Sequence, residues 1–61
     1  MTKYLNIKNG KIYIRLRDVI NATNKDDGQV MVLYCRNEKY FVREREEFNK
    51  KFKFIIEKSR R

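Results

Sequence analysis

Ile12, Ile14 and Leu16 alternate with Tyr13, Arg15 and Arg17, the two-residue period of a strand with one apolar face turned to a core. The phase breaks at Asp18, because Val19 and Ile20 stand side by side. A bulge or sharp bend near Arg17-Asp18 accounts for the break. Gln29 to Cys35 is apolar on both faces and rich in β-formers, which makes it the expected central strand. Tyr40 to Arg43 predicts a short strand behind a tight turn, and Tyr4 to Ile7 an edge strand ahead of the first turn. After Val42 the period changes. Helix formers fill Arg43 to Glu47, and Phe48 and Phe52 stand four apart, on one face of a helix. Phe52, Phe54 and Ile56 also alternate as in a strand. The spacing predicts a short helix over Glu44 to Lys50 and a strand over Phe52 to Glu57. One continuous helix from Glu44 to Lys58, with Phe48, Phe52, Ile55 and Ile56 inward, is the competing reading.

Turn signals separate these segments. Proline is absent, so the punctuation comes from Lys8-Asn9-Gly10, Asn24 to Gly28 and, more weakly, Arg36 to Lys39. Asn9-Gly10 is the pair that favours the φ > 0 conformations of tight hairpins. The expected fold class is mostly β: a small, strongly bent antiparallel sheet that closes partly on itself, with one short helix near residues 44–50. That is the size and element order of an SH3-like barrel. Phe48 and Phe52 are expected to pack with Val32 and Ile14 around one core. No linker or repeat divides the chain, so residues 1–61 are expected to form a single small basic domain.

Composition narrows the function. A chain of 61 residues hides only about 60% of its unfolded surface on folding, which leaves no room for a deep pocket. There is no histidine and one cysteine, so histidine acid–base chemistry, a Cys/His metal cluster and an internal disulfide are all excluded. Cys35, inside an apolar strand, is expected to act as a small hydrophobe. Glu44, Glu46, Glu47, Glu57 and the Asp26-Asp27-Gly28 loop lack the spacing of a cation loop or a catalytic carboxylate pair. The expectation is therefore a non-enzyme with no cofactor, metal or small-molecule substrate. The longest apolar run, Val30 to Cys35, is far too short for a membrane span or a signal-peptide core, and a cytoplasmic location is expected.

The net charge of +8 is unevenly spread. Residues 1–17 carry +5 with no acid, residues 18–47 carry −2, and residues 48–61 carry +5. If the two basic ends lie side by side, they form one positive face that attracts polyanions. If they lie apart, the charge mainly confers solubility.

The residues Gly10-x-Ile12-Tyr13, Val19 with Asn21, Asp27-Gly28-x-x-Met31-Val32-x-Tyr34 and Phe41-Val42-Arg43-x-x-x-x-Phe48 together resemble a family of small uncharacterised bacterial and phage domains. The resemblance spans roughly residues 10–56 and implies an SH3-like barrel. The family usually has a proline after the Val-Arg step, where this chain has Glu44. It carries no assigned chemistry, so the resemblance implies a fold and no function.

Tyr13, Tyr34, Tyr40 and Phe41 could form a platform for a peptide or for single-stranded nucleic acid, or could simply complete the core. Tyr13 shares its alternation with Arg15 and Arg17, and a ring beside two guanidiniums offers stacking and bidentate phosphate contacts together. Lys11 precedes this group, and the run Lys50, Lys51, Lys53, Lys58, Arg60 and Arg61 adds a generic phosphate-contacting stretch. Arg43 is expected to ion-pair locally with the following glutamates. The leading expectation is a binding module whose positive face, built from Lys11, Tyr13, Arg15, Arg17, Lys50, Lys51 and Lys53, meets the nucleic-acid backbone without strong sequence preference. The alternative is a small phage-type interaction module or inhibitor docking on an acidic surface of a host protein.

Overall fold

A computed structural model describes residues 2–56. The described residues form strands β1 (Thr2–Asn6), β2 (Ile12–Ile20), β3 (Val30–Arg36) and β4 (Lys39–Glu44), helix α1 (Arg45–Lys51) and strand β5 (Phe52–Phe54). The short helix followed by a strand is the arrangement seen, and the continuous-helix reading falls at Phe52, whose backbone is extended at φ −124° and ψ 147°. The strand is shorter than expected: it ends at Phe54, Ile55 and Ile56 follow it without strand structure, and Glu57 lies outside the described residues.

The strands make one antiparallel sheet in the order β4-β3-β2-β1-β5. It is open, with β4 and β5 as its two edges. The central place therefore belongs to β2 rather than to β3. β1, expected at an edge, is interior: Tyr4 pairs with Tyr13 on one side and with Phe54 on the other. The N–H of Ile55 continues that contact by donating to the carbonyl of Lys3.

Turn chemistry departs from expectation in one instructive way. Asn37 and Glu38 both have positive φ, 53° and 67°, between the paired residues Arg36 and Lys39. These are the signs of a two-residue I′ turn, formed here without glycine. The Asn9-Gly10 pair instead sits in a wider loop, with only Gly10 at positive φ. There the side-chain oxygen of Asn6 accepts the N–H groups of Lys8 and Asn9, and Gly10 donates to the Asn6 carbonyl. Asparagine side chains that mimic a backbone turn suffice to bend the chain.

The strand period is as expected; the buried face is reversed. The β2–β3 register slips between Arg15 and Arg17, which leaves Leu16 as the extra residue of a bulge, slightly ahead of the expected Arg17-Asp18. Tyr34, buried, faces Arg15 and Phe41; Val32, fully buried, faces Asp18 and Arg43. Directly paired residues share a face, so the inner face carries Tyr4, Tyr13, Arg15, Tyr34 and Phe41. Helix α1 covers it with Phe48. The core is Val32, Tyr34, Phe48 and Phe52, with Tyr4 and Tyr13 packed against it. Ile14 is not part of it: it pairs with Cys35 on the outer face, where Ile12 is 49% exposed. Cys35 is half-buried there.

Aromatic geometry explains the choice of face. Phe48 and Phe52 stack with centroids 4.2 Å apart and planes 6° from parallel, and Tyr34 meets both edge-on at 5.1 Å. Ring–edge contacts of this kind add about 0.5–1.5 kcal/mol each to the area they bury, which a facing row of Ile12, Ile14 and Leu16 would not supply. Phe48→Ala is expected to cost about 3–5 kcal/mol, enough to unfold so small a domain. Ile12→Ala on the outer face is expected to cost no more than about 1 kcal/mol. Urea denaturation followed by circular dichroism compares the two, and equal costs would mean that the core lies elsewhere.

Candidate functional site

The two basic ends lie side by side. Pairing of β1 with β5 begins the contact, and the N–H of Ile7 donates to the carbonyl of Lys51 at 3.0 Å. The turn after β1 is thereby brought against the end of α1. Between them lies an open hollow of about 410 Å³, lined by Asn6, Ile7, Lys8, Arg43, Lys50 and Lys51. A second hollow of about 210 Å³ lies at the β3–β4 turn, lined by Lys11, Tyr13, Arg36, Asn37, Lys39 and Phe41. Neither lining contains a carboxylate, although acids make up 8 of the 61 residues.

One ring connects the hollows. Phe52 meets Tyr13 edge-on at 5.4 Å, and the Arg43 guanidinium lies 5.9 Å from its centroid. Within the second hollow, the Arg36 guanidinium lies 5.9 Å from the Tyr13 centroid, and Phe41 stacks on Tyr34 at 5.4 Å. Phe41 is 37% exposed. The arrangement offers cations at both ends of a short aromatic surface. It can hold phosphates at the cations, and Phe41 is the exposed ring of the set, since Phe52 and Tyr34 are buried.

The residues singled out by sequence divide into three groups. Lys11 and Tyr13 line the second hollow, and Lys50 and Lys51 line the first. Arg15 shares the inner face but is already engaged. Its guanidinium lies 5.6 Å and 5.4 Å from the Tyr4 and Phe48 ring centroids, and it donates to the Tyr4 hydroxyl and to Asp18. Arg17 and Lys53 fall on the outer face, opposite Leu33 and Leu5. The expected face of Tyr13 with Arg15 and Arg17 is therefore not formed, because the bulge at Leu16 turns Arg17 away from the other two. Lys58, Arg60 and Arg61 lie outside the described residues. Tyr40 is on the outer face, paired with Cys35.

Arg36, Lys39 and Lys8 were not apparent as site residues from the sequence. Their signal was the polar turn itself: a two-residue turn sets its flanking pair, Arg36 and Lys39, directly opposite one another. Arg43 behaves as expected in bonding to Glu47 at 3.2 Å, and it also donates to the Tyr34 hydroxyl. Those two bonds leave it less available than the lysines beside it. No family model, no curated protein and no solved structure matches the chain.

Asp18 organises the inner face electrostatically. The hydrogen bond from Arg15 at 2.9 Å, joined by one from Arg45 at 3.2 Å, holds its carboxyl below the ordinary value despite some burial acting the other way. A carboxyl lowered on folding stabilises the fold fully above its unfolded value of about 4. That contribution is lost as the pH falls through the lower folded value. Asp18→Asn is therefore expected to lower the urea midpoint near neutral pH. The gap from the parent should narrow as the pH falls below about 4. A gap that stayed constant across this range would show that the ion pairs of Asp18 do not contribute.

Proposed function

We propose that this chain is a non-enzymatic module that binds the nucleic-acid backbone through the inner side of its sheet, without strong sequence preference. The observation that carries this reading is the pair of acid-free cationic hollows, one of which includes the rings of Tyr13 and Phe41. Among the described residues, the side chains of Lys8, Lys11, Lys39, Lys50 and Lys51 join no ion pair. Charges left unpaired by the fold are available to replace the counterions of a phosphate chain. The hollows are open and shallow, which suits an extended polymer better than a small substrate. Chemistry on the bound strand has no support, since histidine is absent and no group of three or more His, Cys, Asp or Glu residues gathers among the described residues.

The SH3-like character belongs to this proposal too. A five-stranded antiparallel sheet with a short helix ahead of β5 supports it, and closure between β4 and β5 would be needed to complete a barrel. Among the described residues no helix is long and apolar enough to cross a membrane.

If four or five of the free cations contact phosphates, log K against log salt has a slope of roughly −3 to −4.5 on DNA, the shallower values belonging to single strands. Replacing Lys50 and Lys51 with alanine is expected to flatten the duplex slope by about two. Arg15→Ala is expected to leave the slope unchanged, because Arg15 is held by Asp18 and Tyr4. Phe41→Ala is expected to weaken single-stranded binding by about 1–3 kcal/mol and to spare duplex binding. Fluorescence anisotropy with labelled oligonucleotides over a salt series measures all three. A folded protein that retains neither DNA nor RNA at low salt overturns the reading.

A further inference from the structure

The outer face of the sheet is apolar, and nothing among the described residues packs on it. Its middle is formed by Leu5, Ile12, Ile14, Leu33, Cys35 and Val42, linked by the strand register. Ile12 is 49%, Val42 57% and the neighbouring Tyr40 68% exposed.

Charge decides between occupants. The face carries Lys3, Arg17 and Lys53, and its one carboxylate among the described residues is Glu44, at the β4 corner. Arg17, exposed, stands on the central strand beside Leu33. A second copy laid face to face would bring the cations Arg17 and Lys53 against a face of the same sign. Its Arg17 would enter a desolvated centre, and among the described residues the one carboxylate of the partner face, Glu44, stands at a corner, a costly arrangement. An amphipathic segment with carboxylates flanking its apolar stripe would instead set those carboxylates against Arg17 and Lys53.

We propose that the outer sheet face is a docking surface for a protein partner presenting an apolar stripe flanked by carboxylates, in the manner of an acidic amphipathic helix. This surface is opposite the cationic hollows and does not rest on the nucleic-acid reading. The chain would then join an acidic protein on one side of its sheet to whatever the inner side holds.

The test titrates isotope-labelled full-length protein with two synthetic amphipathic helices of about 15 residues. Both carry a leucine stripe, one flanked by glutamates and the other by lysines, and amide shifts are followed by NMR. The glutamate peptide is expected to shift Ile12, Leu33 and Val42 saturably and to leave Lys50 and Phe41 in place. The lysine peptide is expected to bind at least about tenfold more weakly. Arg17→Glu, an exposed substitution that spares the core, is expected to reverse that preference. Equal binding of the two peptides, no shift on the outer face, or shifts confined to the inner face would each overturn the proposal. So would sedimentation showing a dimer that Val42→Lys abolishes, since a second copy would then be the occupant.

Discussion

The stacked pair Phe48 and Phe52 holds this small fold together. Four residues apart, the two rings would lie along one helix, yet the helix ends between them. The Phe52 N–H still bonds to the Phe48 carbonyl while its own backbone has turned extended. One ring thus belongs to the helix and the other to the sheet, with 4.2 Å between centroids. That stack fixes which side of the sheet the helix covers. It also brings Lys50 and Lys51, one turn away, against the loop after β1. Tyr34, Tyr13 and Tyr4 surround the pair edge-on, so most of the core is aromatic rather than aliphatic.

This explains what was legible in the sequence. The strand period of β2, the polar turns, the helix after Val42 and its abrupt end all follow from spacing and turn chemistry, and all are present. The side of β2 that faces the core was not legible. A binary pattern assigns Ile12, Ile14 and Leu16 to the inside and Tyr13 and Arg15 to water. Arg15 nevertheless lies inside, because its stem and flat guanidinium cover two rings while its N–H groups find a hydroxyl and a carboxylate. Amphipathic side chains such as arginine and tyrosine can occupy either side of a sheet, and the deciding partner, Phe48, lies more than thirty residues further on. The candidate site was legible in part. Lys50 and Lys51 line one hollow and Lys11 and Tyr13 the other, whereas one bulge residue, Leu16, turns Arg17 to the outer face in a way that alternation does not reveal.

The reversal gives the sheet two chemically distinct sides. The inner side combines rings with unpaired cations at its margins. The outer side combines aliphatic side chains with a few cations. A net charge of +8 is thus distributed over both sides, yet only the inner side gathers it in hollows free of acids. Two carboxylates on that side are already engaged: Arg15 and Arg45 occupy the two oxygens of Asp18, and Glu47 holds Arg43.

The pairing of Tyr4 with Phe54 also sets the order in which the structure can assemble. Strands β2, β3 and β4 are joined in succession by short connections, so their contacts form locally and early. Bringing β1 to β5 closes a loop of about fifty residues, at an entropic cost of roughly 3.5 kcal/mol. Two of the four core residues, Phe48 and Phe52, arrive only with that last segment. Until that segment docks, the sheet's inner face lacks the two rings that cover it. The ring stack that completes the core is also the event that ends this vulnerable interval.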